Sequence, residues 1–188
     1  SASDGNPTLD LVLALAPAEA ALAKIKVVAT LPDLASVAKI VGGPDADVTA
    51  LSYPTQDPHF VDARPSLVIT MNKADMLILA GLQLEIGWLP NLITGARNER
   101  IIQGAPGYVD VSGVIPLKQV PTAPIDRSMG DVHPGGNPHF MADVRNGARV
   151  AALMAEKMGA IDPEHRAGYR ARAPLRTSAM KCGLPPGW

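Results

Sequence analysis

Lys24-Ile-Lys-Val-Val-Ala-Thr30-Leu-Pro-Asp-Leu-Ala-Ser-Val-Ala-Lys-Ile-Val-Gly-Gly43 is the stretch on which the fold turns. Residues 25–30 form a short β-branched run, which predicts a strand. Leu34, Val37, Ala38 and Val41 then recur at helical spacing, and Gly42 with Gly43 stop the helix as a C-cap does. The same alternation continues outward. Strands are predicted at 48–52 and 76–80, the latter stopped by Gly81, and a fourth at Ile101 and Ile102 before Gly104. Helices are predicted at 65–74 and 84–96. Short apolar strands separated by helices of about ten residues require crossover connections, and so a four-stranded, mostly parallel α/β sheet flanked by helices. Residues 112–138 break the pattern with Pro116, Pro121, Pro124, Pro134 and Pro138, and no regular element is expected there. An amphipathic helix follows at 144–158, and residues 163–172 read as a last one.

The ends differ from this middle. Residues 1–23 hold an apolar run and a small-x-small site at 21–23 but no basic residue before Lys24, so they read either as an export signal or as an apolar leader helix. Residues 173–188 have no apolar periodicity, and 174–188 are expected to be poorly ordered. The domain proper is thus 24–172. At 188 residues the chain is too short for two full-sized lobes. Its net charge of −1 provides no field to hold a phosphate backbone, which excludes nucleic acid as a partner. A hydrophobic share of 47% against 19% charged argues for a buried core. The single cysteine, Cys182, excludes an internal disulfide and cysteine-rich metal modules.

The chain has two Phe residues, and each follows a Pro-His pair. Asp57-Pro-His-Phe60 and Asn137-Pro-His-Phe140 form an echo that continues to Asp62 and Asp143, with Arg64 and Arg145 beyond. Each copy precedes a helix. Proline fixes the approach of the chain, imidazole offers a neutral nitrogen donor, and the following aromatic is expected to pack beneath the ring. His59 and His139 are therefore the leading metal-ligand candidates, converging where α/β folds collect ligands, at one end of the sheet. His133, in the glycine-rich loop, is a third. His165 is read as a surface residue, and Glu85 as a first-turn carboxylate favouring the dipole of the third helix.

Together with the opening strand and Ala74-Asp-Met-Leu-Ile-Leu-Ala-Gly81 leading to Leu84-Glu-Ile-Gly-Trp88, these turns resemble the metal-specific solute-binding proteins of ABC importers that capture zinc or manganese. The resemblance covers about residues 24–172. It implies a single Rossmann-like N-terminal lobe, in a family where two lobes joined by a long helix close over one metal. The first lobe contributes two histidines, matched by His59 and His139, and the second adds a His or Glu and an Asp. On this resemblance the second lobe is absent from the sequence, and Asn137 and Val144 replace an Asp and a Pro that often flank the second turn.

The function that follows is binding of a divalent transition metal, Zn2+ before Mn2+ because imidazoles suit zinc better. The resemblance implies a periplasmic or extracytoplasmic location and the membrane permease of an ABC importer as partner. Ligand positions left open by two histidines also allow a metal-linked homodimer. Two alternatives remain: a metal-dependent hydrolase with an open two-His site, and a decayed lobe that binds nothing. The first finds no His-Glu-x-x-His helix, Gly-x-Ser-x-Gly elbow or phosphate loop to support it, and the chain is expected not to be an enzyme.

Overall fold

Val27 and Val28 are neighbours in sequence but face opposite sides of the sheet, and each is buried in a different apolar cluster. A strand covered on both faces needs apolar residues at successive positions, which is why β3 (Met76–Leu79) is apolar throughout and β1 (Ile25–Ala29) at every position but the exposed Lys26. The computed structural model describes residues 23–122 and 132–173. The expected leader over 1–23 and tail over 173–188 fall outside these, apart from Ala23 and Ala173.

Four parallel strands lie in the order β2-β1-β3-β4, with β2 at Ala46–Ala50 and β4 at Tyr108–Asp110. One face packs against α1 (Pro32–Gly42), α4 (Val144–Ile161) and α5 (Arg166–Arg172), where Leu34, Val41, Met154, Met158 and Tyr169 join Val27 and Ile78. The other face packs against α2 (Pro65–Asn72) and α3 (Leu89–Ala96), with Leu67, Met71 and Leu92 against Val28 and Leu77. The predicted four-stranded α/β architecture is the one observed.

Several element ends shift by two or three residues, as with β2 at Ala46–Ala50 rather than 48–52, and two boundaries depart further. The fourth strand is not at Ile101 and Ile102. Ile101 ends a single 3₁₀ turn, Glu99–Ile101, whose cap residue Asn98 donates to the carbonyls of Met71 and Ala74. The pairing segment starts after Gly107, whose carbonyl accepts from the Leu77 amide. A side chain at Gly107 would collide with the Asp75 and Arg100 carbonyls, so only glycine lets the chain pass here. The third helix begins at Leu89 rather than 84, because residues 81–83 wind through positive φ (79°, 54° and 66°) and turn the chain over a buried carboxylate. In the proline-rich stretch, Val111–Val114 forms one 3₁₀ turn.

His165 is not a free surface residue either. At the corner between α4 and α5 its Nδ1 lies 2.7 Å from Asp162 Oδ2, and its Nε2 is 3.7 Å from Asp45 Oδ1. Tyr169 donates to the same Asp162 oxygen, and Arg172 pairs with Asp45. The Asp162 carboxylate hydrogen-bonded to His165 raises the imidazole above its ordinary value. A histidine raised on folding contributes stability that is present below its unfolded value of about 6.5 and lost as pH rises through the folded one. Urea unfolding at a series of pH values is thus expected to show a decline above about pH 6.5 that His165→Gln flattens. An unchanged slope in the variant would assign the decline elsewhere.

Candidate metal centre

Strand order changes direction between β1 and β3, and the carboxyl ends of these strands form the floor of the site. The loop after β2 is pinned to this edge by main-chain bonds from Leu51 to Ala29 and from Ser52 to Thr30, and by the Ser52 hydroxyl on the Thr30 carbonyl. It then delivers Asp57, Pro58 and His59. Trp88, 3% exposed, donates its indole N–H to the Pro58 carbonyl at 2.9 Å and fixes the turn from below. The second turn enters α4 through a 3₁₀ turn, Phe140–Ala142, with Asn146 donating to the Phe140 carbonyl.

The three histidines singled out from the sequence come together. His59 Nε2 lies 3.2 Å from His133 Nε2, with the rings stacked at a centroid separation of 5.3 Å. The His139 ring sits edge-on to His59 at 5.6 Å. Imidazole nitrogens bound tetrahedrally at about 2.0–2.1 Å from zinc stand about 3.3 Å apart, with ring centres about 5 Å apart. The His59–His133 pair has this spacing. Among the described residues, no three His, Cys, Asp or Glu side chains already close on one ion-sized point. Clefts flank His139 on two sides, one lined by Leu31, Tyr53 and Pro58, the other by Val132 and His133.

The aromatic residues behave differently from expectation. Phe140 is 8% exposed and belongs to the core, whereas Phe60 is 74% exposed and its ring meets His59 tilted, at a centroid separation of 6.4 Å, rather than stacked beneath it. The imidazole ring is held instead by Asp57, whose Oδ1 accepts from the His59 backbone N–H at 2.9 Å and lies 2.8 Å from Nδ1. These bonds, the backbone one foremost, hold the Asp57 carboxyl below the usual carboxylate range. Asn137 caps the second turn in the same way, accepting from the His139 N–H at 2.8 Å. The signal for both was present as Asp or Asn two residues before each His, a spacing that makes a local Asx turn.

Glu85 is likewise not a helix-end charge. At 3% exposure it accepts from the Thr30 hydroxyl (2.7 Å), the Ala80 N–H (2.7 Å) and the Gly81 N–H (3.2 Å), joining the ends of β1 and β3 under the site. Burial is the main influence on its carboxyl and raises it above its ordinary value.

Residues 27–178 match the family model of ZnuA, the zinc-uptake complex component A, periplasmic. The chain belongs to the ZnuA family. Among curated ZnuA-like relatives, the metal ABC transporter substrate-binding lipoprotein SsaB of Streptococcus sanguinis is 27% identical over 150 residues, covering 78% of this chain and 45% of SsaB. The iron ABC transporter substrate-binding lipoprotein MtsA of Streptococcus pyogenes is 27% identical over 149 residues, 78% of this chain and 44% of MtsA. The chain thus spans about half the length of the curated relatives it matches. The fold also matches a manganese-bound periplasmic metal-binding protein of Candidatus Liberibacter asiaticus (TM-score 0.67, 19% identity, 84% of this chain and 53% of that one). A crystal structure of ZnuA superposes with TM-score 0.61 at 19% identity, over 84% of this chain and 55% of that one.

Proposed function

We propose that this chain captures a divalent transition metal as cargo, zinc before manganese, as part of the solute-binding component of an extracytoplasmic ABC metal importer. The observation that carries this is the 3.2 Å approach of His59 Nε2 to His133 Nε2 beside the His139 ring. Two ring nitrogens this close share one proton or one cation, and a metal needs both as neutral lone-pair donors. His59, His139 and His133 are the ligands in this reading. Water or a further donor completes the shell, since zinc takes about four ligands. The curated relatives are substrate-binding lipoproteins, which supports a carrier rather than an enzyme, with a membrane permease receiving the ion.

Competition titration with a chromogenic chelator tests the metal. Zinc is expected to bind with one ion per chain and to be displaced poorly by manganese, because imidazole donors favour zinc and hard oxygen donors favour manganese. Equal displacement by the two metals would overturn the zinc assignment, and absence of binding by either would leave a decayed lobe. Turnover of generic esters would revive the hydrolase. Size-exclusion profiles with zinc and with chelator decide whether a second chain fills an open position to give a metal-linked homodimer.

A further inference from the structure

We propose that Asp57 is a positioning residue that locks the His59 imidazole in the tautomer presenting Nε2 to the metal; this rests on the ligand role assigned to His59 above. An ionised carboxylate can only accept hydrogen bonds, so the imidazole nitrogen 2.8 Å from Asp57 Oδ1 carries the proton. The other nitrogen, Nε2, is then left with its lone pair, and it is this atom that faces His133 at 3.2 Å. The same carboxylate oxygen accepts the His59 backbone N–H. Backbone and ring are therefore tied to one point, which removes rotation of the side chain as well as the choice of tautomer. A carboxylate behind a metal-bound imidazole orients the ring and increases its basicity.

The second turn shows that this is more than turn chemistry. Asn137 accepts the His139 N–H as Asp57 accepts that of His59, so either residue serves the backbone equally. The Asn137 amide nitrogen, however, donates to Gln119 Oε1 at 2.6 Å, and its backbone N–H to the Lys118 carbonyl. Its side chain is committed to the preceding loop rather than to the imidazole. Two copies of one turn thus divide the work: the copy with Asp holds its ligand rigidly, and the copy with Asn is coupled to the loop stem.

The experiment is 15N spectroscopy of the histidine-labelled chain of 188 residues, without metal, for the parent, Asp57→Asn and Asp57→Ser. Both variants retain an oxygen for the backbone N–H, so the turn is kept and only the anion is lost. The parent is expected to show His59 as a single tautomer protonated at Nδ1. Both variants are expected to show a mixture, with the His139 signals unmoved and zinc affinity reduced by about 10–100-fold. An unchanged His59 signature in a folded variant would overturn the proposal, as would a tautomer shift with undiminished affinity in a parent that binds zinc. A shift in tautomer in a parent that binds no metal would instead uphold the Asp57 role and remove the ligand function.

Discussion

Replacing His59 with alanine is expected to abolish tight zinc binding, lowering affinity by more than about 100-fold, since even outer-shell partners of a metal ligand are worth about 10–100-fold. His59 is the hub of the cluster: its Nε2 meets His133 and its ring contacts those of both His133 and His139. Removing it takes away the ring that both other imidazoles meet, so the loss exceeds one ligand's share. His139→Ala is expected to weaken binding comparably, and His133→Ala less, because His133 is carried on a long proline-rich connection. The fold should be indifferent. His59 lies on a loop outside both apolar clusters, and substitutions at such positions usually change stability by no more than about 0.5 kcal/mol. Chelator competition beside urea unfolding would check both halves. Parent-like affinity in a folded His59→Ala chain would show that the ion binds elsewhere.

The largest effect on stability is expected at Glu85. Alanine there removes the acceptor for three buried donors, Thr30 Oγ1, Ala80 N and Gly81 N. Each buried group left unsatisfied costs about 1–3 kcal/mol, and because the three are neighbours a total of about 3–5 kcal/mol is expected. The same change releases the left-handed run at residues 81–83 and with it Trp88, which props the first ligand turn. Zinc affinity should therefore fall in Glu85→Ala although Glu85 is not a ligand. Glu85→Gln keeps an oxygen for Thr30 and Ala80 and opposes an amide to the weaker Gly81 bond, a cost of about 1–2 kcal/mol.

The pH dependence separates these effects. A carboxyl raised by burial favours folding below its unfolded value of about 4.3, and that contribution is lost as pH rises through the folded value. Glu85→Gln, having no charge to bury, should flatten that part of the stability profile. Chemical unfolding from pH 4 to 8 measures it, and a parallel profile in parent and variant would show that folding does not raise the Glu85 carboxyl.

Much of this molecule was legible in the letters. Apolar runs at β1 and β3, helical spacing in α1 and α4, and the duplicated Pro-His-Phe turn are local patterns, and they pointed to the sheet and to His59 and His139. What they could not supply depends on partners distant in sequence. Ile101 and Ile102 look like a strand, yet pairing with β3 belongs to Tyr108–Asp110, because Asn98 diverts the chain and Gly107 passes between two carbonyls. Glu85 looks like a helix-end carboxylate until Thr30, 55 residues earlier, is seen to donate to it. The two Phe residues are equivalent by motif, but one is buried and one exposed, since only Phe140 enters against the α4 side of the sheet. His165 likewise meets Asp45, 120 residues earlier at the α1–β2 corner, as well as its near neighbour Asp162. The sequence by itself determined which residues were apolar and which could donate to a metal, because periodicity and side-chain chemistry are properties of neighbours along the chain. Only the tertiary structure decided which nitrogen of His59 faces Asp57, which faces His133 and which carboxylate is buried, because burial and hydrogen-bond partners are set by the residues that packing brings together.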